Sequence, residues 1–130
     1  HISVEIDVDE EVLQNTIIKL ILQPIVENAV FHGLEQKMGD GEVTVTIRRK
    51  LDNYIMLLVT DNGCGMEKEK VDQLTKSLEN NSTKSKGIGL ANIYQRLKLF
   101  YGDDIVFEIK SKPGEGTRVM IVLPDHVEER

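Results

Sequence analysis

The chain is poor in the residues that build cages, staples and membrane spans. Its single cysteine, Cys64, excludes an internal disulfide and any multi-cysteine metal site, and reads as an incidental free thiol in a reducing compartment. The three histidines, His1, His32 and His126, are scattered along the chain, and tryptophan is absent. An apolar run of the ~18 residues that a membrane-spanning helix needs is missing, so no direct membrane contact is expected. Basic residues number 16 against 22 acidic ones, a formal net charge of −6, which argues against a nucleic-acid partner. The sequence begins at His1 without a visible secretory leader and is read as a fragment of a longer protein. With 130 residues, 40% of them hydrophobic, residues 1–130 form one domain around one core.

Glycine, by contrast, is used in a pattern. Eight of the ten glycines fall in four G-x-G pairs: Gly39/Gly41, Gly63/Gly65, Gly87/Gly89 and Gly114/Gly116. Glycine permits a positive φ and close approach by a backbone or a ligand. Any one pair reads as a turn, and Gly39/Gly41 keeps that reading.

Periodicity supplies the order of elements. Residues 2–9 alternate apolar and polar, the mark of a half-buried strand. A short polar segment, 10–16, precedes a long helix over 17–37, with Leu22, Ile25, Val26, Ala29, Val30 and Gly33 as its core stripe. Pro24 inside this run should begin the regular helix or kink it. Residues 42–48 and 54–60 read as a hairpin, and 67–78 as a weak helix. Residues 79–86 lack apolar anchors and are expected to be mobile. A helix over 90–101 ends at Gly102, and 105–110 with 117–123 make a closing hairpin. The fold class is α+β, a mixed sheet with helices packed on one face.

Familiar phosphate and hydrolase signatures are missing: there is no G-x-x-x-x-G-K-[ST], no G-x-G-x-x-G, no G-x-S-x-G and no H-E-x-x-H. Three candidate elements remain. Asp61 ends an apolar strand before a glycine loop, where a carboxylate can accept from an exocyclic amine while Gly63 and Gly65 admit a flat ring. Taken alone, Asp61-Asn62-Gly63 fits a hairpin turn equally well. Gly87-Ile88-Gly89-Leu90 opens a helix, where free N–H groups and the dipole favour an anion, with Lys84 and Lys86 adding positive charge. Alone, it fits a flexible linker better. On the first long helix Asn28, His32 and Glu35 share one side, flanked by Glu27. Asn and Glu oxygens suit Mg²⁺, although a solvated polar face is the commoner reading of one such helix.

Taken together and in order, Gln23 to Ala29, Asp61-Asn62-Gly63-Cys64-Gly65-Met66, Gly87-Ile88-Gly89-Leu90 and Gly114-Glu115-Gly116-Thr117 resemble the N, G1, G2 and G3 boxes of the GHKL superfamily of gyrase, Hsp90, histidine kinases and MutL. Leu22 to Gly33 and Gly87 to Leu97 resemble the LytS/YesM-type sensor histidine kinases more closely. The resemblance implies a Bergerat-type α/β sandwich with a mobile ATP lid over about 68–86, binding ATP and Mg²⁺. It implies that Asp61 binds the adenine amine, partly through water, that Gly65 lets the base approach, and that Thr117 joins the adenine water network. Asn28 would ligate Mg²⁺, Gly87 and Gly89 would offer N–H groups to phosphate, and His32 would wall the site. Gly63, Met66, Lys84, Lys86, Ile88 and Leu90 complete the expected nucleotide contacts, and Glu27 joins Asn28 as a catalytic candidate.

The departures from the family pattern are also informative. Hydrolysing members carry a glutamate base four residues before the asparagine; here that residue is Pro24. A lysine common three residues after the asparagine is replaced by Phe31. The expected protein is the catalytic domain of a two-component sensor kinase, donating the γ-phosphoryl group to a histidine on its own upstream dimerisation domain. Its further partners would be a response regulator and a second copy in a membrane-anchored homodimer. An anti-sigma-factor serine kinase of the same fold and a degenerate interaction module are the alternatives.

Overall fold

Runs of alternating residues become strands because alternation gives each one an apolar side. In the computed structural model, which describes residues 1–34, 39–80 and 88–125, five strands form one sheet in the order β1-β2-β3-β5-β4. They are β1 (Ile2–Val8), β2 (Gly41–Lys50), β3 (Tyr54–Asp61), β4 (Val106–Lys112) and β5 (Gly116–Pro124). β1 lies parallel to β2, and the other neighbours are antiparallel. Helices α1 (Thr16–Asn28), α2 (Lys68–Asn80) and α3 (Ile88–Tyr101) complete the α+β fold expected from the sequence.

Strand register decides which side chains meet the helices. Val43, Val45 and Ile47 of β2 pair with Asp61, Val59 and Leu57 of β3, and Val59, Leu57 and Ile55 pair with Val119, Ile121 and Leu123 of β5. Paired residues point to the same side, so these form the buried face. They join Ile18, Ile21 and Ile25 of α1 with Leu90, Ile93 and Leu97 of α3 in one cluster. Burying a side chain of this size stabilises the fold by about 1.5–3 kcal/mol.

The edge strand departs from expectation. Ile2, Val4 and Ile6 share the inward side of β1, yet they stay 48%, 44% and 51% exposed. Alternation identified the strand but not its cover, because among the described helices none makes a substantial contact with it.

α1 also differs from the sequence reading. It starts at Thr16, where the Asn15 Oδ1 accepts from the N–H groups of Ile17 and Ile18 at 2.9 and 3.1 Å. Pro24 therefore lies eight residues inside the helix and does not begin it. The segment before it is not simply polar: Glu10–Gln14 form a 3-10 turn around fully buried Val12. After Asn28 the chain widens into a π-type turn, Ala29–Gly33, ending at Leu34, short of the expected residue 37. Residues 35–38, with Glu35, lie outside the described residues.

The tail of α2 corrects the expectation of mobility at residues 79 and 80, while 81–86 lie outside the described residues. The helix continues to Asn80, and Leu78 is 2% exposed. The Tyr94 hydroxyl donates to the Glu79 carboxylate, and the Gln95 amide donates to the Leu78 carbonyl at 2.6 Å. Apolar anchoring is thus supplied by Leu78 just upstream, and α3 holds the end of α2.

Candidate functional site

The inward row of β3 runs Ile55, Leu57, Val59 and then Asp61, so a carboxylate occupies a position the pattern reserves for core. Asp61 is 6% exposed. Its Oδ1 accepts from the Gly63 N–H at 2.8 Å and from the Thr117 N–H at 3.3 Å. Among the described residues none donates to Oδ2. Burial pushes the Asp61 carboxyl above the usual carboxylate range, and the two backbone N–H groups oppose that shift. The result is a buried acceptor with one oxygen fixed and one open.

The loop after Asp61 is fastened on two sides. Asn62 extends the β2–β3 pairing: its Oδ1 accepts from the Glu42 N–H at 2.8 Å, and its own N–H donates to the Glu42 carbonyl at 3.2 Å. The segment is therefore not a hairpin turn. On the other side, the Cys64 carbonyl accepts from the Gly114 N–H at 2.6 Å. The Met66 N–H donates to the Ser111 Oγ at 2.8 Å, while the Met66 side chain packs on the core. Cys64 is an exposed free thiol.

Two glycines here are demanded by the fold. Gly65 has φ +71°, and a Cβ there would lie 1.9 Å from the Lys112 carbonyl oxygen. Gly116 has φ +92°, and its Cβ would lie 2.0 Å from the Asp61 carbonyl oxygen. A side chain at Gly65 is excluded by the neighbouring strand, a reason distinct from the approach of a flat ring.

Asn28, at the end of α1, meets α3. A Cβ on Gly89 would sit 3.4 Å from the Asn28 Oδ1, so the first turn of α3 faces that oxygen. Asn28 is half-buried, whereas Glu27 is exposed and accepts from the Gln23 amide at 2.8 Å. Glu27 thus turns away from Asn28, as successive helical residues diverge by about 100°. The π-type turn that carries the His32 backbone packs on β3. Ile88 opens α3. Leu90 is 3% exposed and belongs to the core, so its backbone is the part left for a ligand. Lys84, Lys86 and Gly87 lie outside the described residues.

Sequence reasoning missed Ser111, which it placed in the β4–β5 connection. Its Oγ lies 2.9 Å from the Gly116 carbonyl and 2.8 Å from the Thr117 Oγ1, besides the Met66 N–H. The available signal was a serine directly opposite Thr117 in the closing hairpin.

Residues 14–127 match the family described as histidine kinase-, DNA gyrase B- and HSP90-like ATPase. Over 125 residues the chain is 38% identical to sensor protein LytS of Oceanobacillus iheyensis, covering 95% of this chain and 21% of that protein. Over 123 residues it is 32% identical to sensor protein kinase HptS of Staphylococcus aureus, covering 95% of this chain and 23% of that protein. The chain therefore spans less than a quarter of the length of these two relatives. Among solved structures, the histidine kinase domain of the Erythrobacter litoralis EL346 blue-light activated kinase superposes with a TM-score of 0.66 at 20% identity, over 95% of this chain and 51% of that one. The catalytic domain of histidine kinase ThkA gives 0.66 at 18% identity, over 98% and 82%. These likenesses establish the shared fold. The family match covers most of the chain and includes every motif described above, so this chain belongs to the histidine kinase-, DNA gyrase B- and HSP90-like ATPase family.

Proposed function

We propose that this domain binds ATP with Mg²⁺ and serves as the catalytic module of a sensor histidine kinase. The carrying observation is Asp61: a carboxylate in a core row, one oxygen held by two backbone N–H groups and the other open beside Thr117. An acceptor fixed on one oxygen and open on the other suits a donor such as the exocyclic amine of adenine. Gly63, Gly65 and Met66 shape the same end of the pocket.

The other end suits phosphate. The first turn of α3, with Gly89 against the Asn28 oxygen, offers N–H groups and a helix dipole to an anion. The Asn28 Oδ1 is a hard neutral ligand that fits Mg²⁺, whose remaining ligands would be phosphate and water. A bound cation would supply charge neutralisation to the transferring phosphoryl group. Ile88 and Leu90 contribute backbone to this end, and His32 is proposed as a wall. Lys84, Lys86 and Gly87 are proposed as further phosphate contacts on the sequence resemblance.

Among the described residues the site shows no water-activating base. Pro24 stands where the hydrolysing members have glutamate, and Glu27 is engaged by Gln23 on the exposed side. Positioning of a histidine nucleophile by another domain therefore fits better than hydrolysis. In the whole protein that domain would be an upstream dimerisation segment, the next acceptor a response regulator, and the assembly a membrane-anchored homodimer with this domain in the cytoplasm. The sensor relatives support this reading.

The test is phosphoryl transfer from γ-labelled ATP. The full-length protein should acquire acid-labile, base-stable label on histidine, while residues 1–130 bind ATP but turn it over very slowly. Loss of positioned reactants alone can be worth on the order of 7–11 kcal/mol of barrier. Rapid hydrolysis by residues 1–130 would contradict the proposal.

A further inference from the structure

Ser111 lies behind Thr117, outside the residues that the resemblance assigns to a nucleotide. Three polar groups surround its Oγ: the Met66 N–H at 2.8 Å, the Gly116 carbonyl at 2.9 Å and the Thr117 Oγ1 at 2.8 Å. A serine hydroxyl has one proton and two lone pairs. The amide of Met66 can only donate to it and the carbonyl of Gly116 can only accept from it. With the Ser111 proton on the Gly116 carbonyl, one lone pair takes the Met66 N–H and the second is left for the Thr117 proton. Every group in the cluster is then satisfied. The Thr117 hydroxyl has no proton left to offer and presents only lone pairs outward.

This polarity matters because of what stands beside it. Asp61 pairs with Thr117 in the β3–β5 register, and its open Oδ2 is also an acceptor. We propose that Ser111 is a positioning residue that locks Thr117 as an acceptor, so that the Asp61–Thr117 edge selects a 6-amino purine and rejects a 6-oxo purine. In direct contact an amino group brings two N–H donors to two acceptors, whereas a keto oxygen sets lone pairs against lone pairs. The inference rests on the adenine-nucleotide reading of this site and adds the origin of its base selectivity. A site with fixed polarity discriminates strongly because the wrong ligand leaves buried groups unpaired.

The test compares ADP with inosine 5′-diphosphate, its 6-oxo counterpart, by calorimetry on residues 1–130. The unaltered chain should prefer ADP. Ser111→Ala releases the Thr117 proton, which then turns towards a keto oxygen. ADP affinity should fall while that for inosine diphosphate holds or rises, narrowing the preference about tenfold, the scale of one hydrogen bond to a charged or buried group. Ser111→Thr keeps the hydroxyl and should restore the preference. In a Thr117→Val background, Ser111→Ala should leave the ratio unchanged, because the effect passes through Thr117. Equal weakening of both nucleotides by Ser111→Ala would mean a structural role only and overturn the proposal, as would an unchanged ratio. If Ser111→Ala fails to fold, Thr117→Val alone decides: it keeps the Met66 and Gly116 bonds, and a ratio unmoved by it also overturns the proposal. If the unaltered chain binds neither nucleotide, the underlying adenine reading fails instead.

Discussion

The two ends of the site use glycine for opposite reasons. At the Asp61 end, Gly65 and Gly116 have positive φ, and their absent Cβ atoms would lie 1.9 and 2.0 Å from neighbouring carbonyl oxygens. These residues hold backbone against backbone, whether or not a ligand is present. At the Asn28 end, Gly89 lies inside α3, and its Cβ would make an ordinary 3.4 Å contact. Among the described residues nothing demands glycine there, which fits the phosphate proposed at that turn. One G-x-G pattern thus builds a rigid recognition edge at one end and clears space at the other.

The largest effect that tests this contrast is on stability. Gly65→Ala and Gly116→Ala should each destabilise the chain by about 3 kcal/mol or more, since both add a clash to an unfavourable φ. Urea unfolding at neutral pH measures it, and a loss under ~1 kcal/mol would break the comparison. Gly89→Ala should do the reverse. Its stability should hold or rise by up to about 1 kcal/mol, because alanine favours helix. Its affinity for ADP should fall roughly tenfold to a hundredfold if phosphate sits against that turn. Unfolding and calorimetry on the same variant separate the two effects.

The smallest effect is on pH dependence. Burial raises the folded-state pKa of Asp61 above the ordinary 3.8. A raised carboxyl favours the folded state when protonated, so its stabilisation is complete below 3.8 and disappears as pH rises through the folded value. From neutral pH downward, Asp61 should therefore make the chain relatively more stable against unfolding while ADP affinity falls. Asp61→Asn should abolish both trends. A profile that is the same in both proteins would show that Asp61 does not titrate there.

Much of this was legible in the sequence. The row Ile55, Leu57, Val59 and Asp61 places a carboxylate on the core side by parity alone, and the order of elements follows from alternation and helical spacing. The rest depended on contacts between distant segments. Ser111 carries only the weak signal of facing Thr117 in a hairpin, because its importance comes from meeting Met66 as well across the sheet end. β1 looked half-buried because periodicity reports a face and not what covers it. The start of α1 was read to within one residue, but the burial of Val12 just before it was missed, because that burial acts through tertiary packing. The end of α2 was misjudged because its anchor, Tyr94, comes from α3.

The central claim is that Asp61 is the ligand-facing acceptor of this fold, and calorimetry with ADP on Asp61→Asn tests it most directly. Asparagine can still accept from Gly63 and Thr117 through its oxygen, but it presents an N–H₂ donor where the open carboxylate oxygen stood. ADP affinity should fall by roughly tenfold to a hundredfold, the ~1.5–3 kcal/mol of a charge-assisted hydrogen bond, with the melting temperature unchanged or higher. An ADP affinity equal to that of the unaltered chain, in a folded variant, would contradict the account.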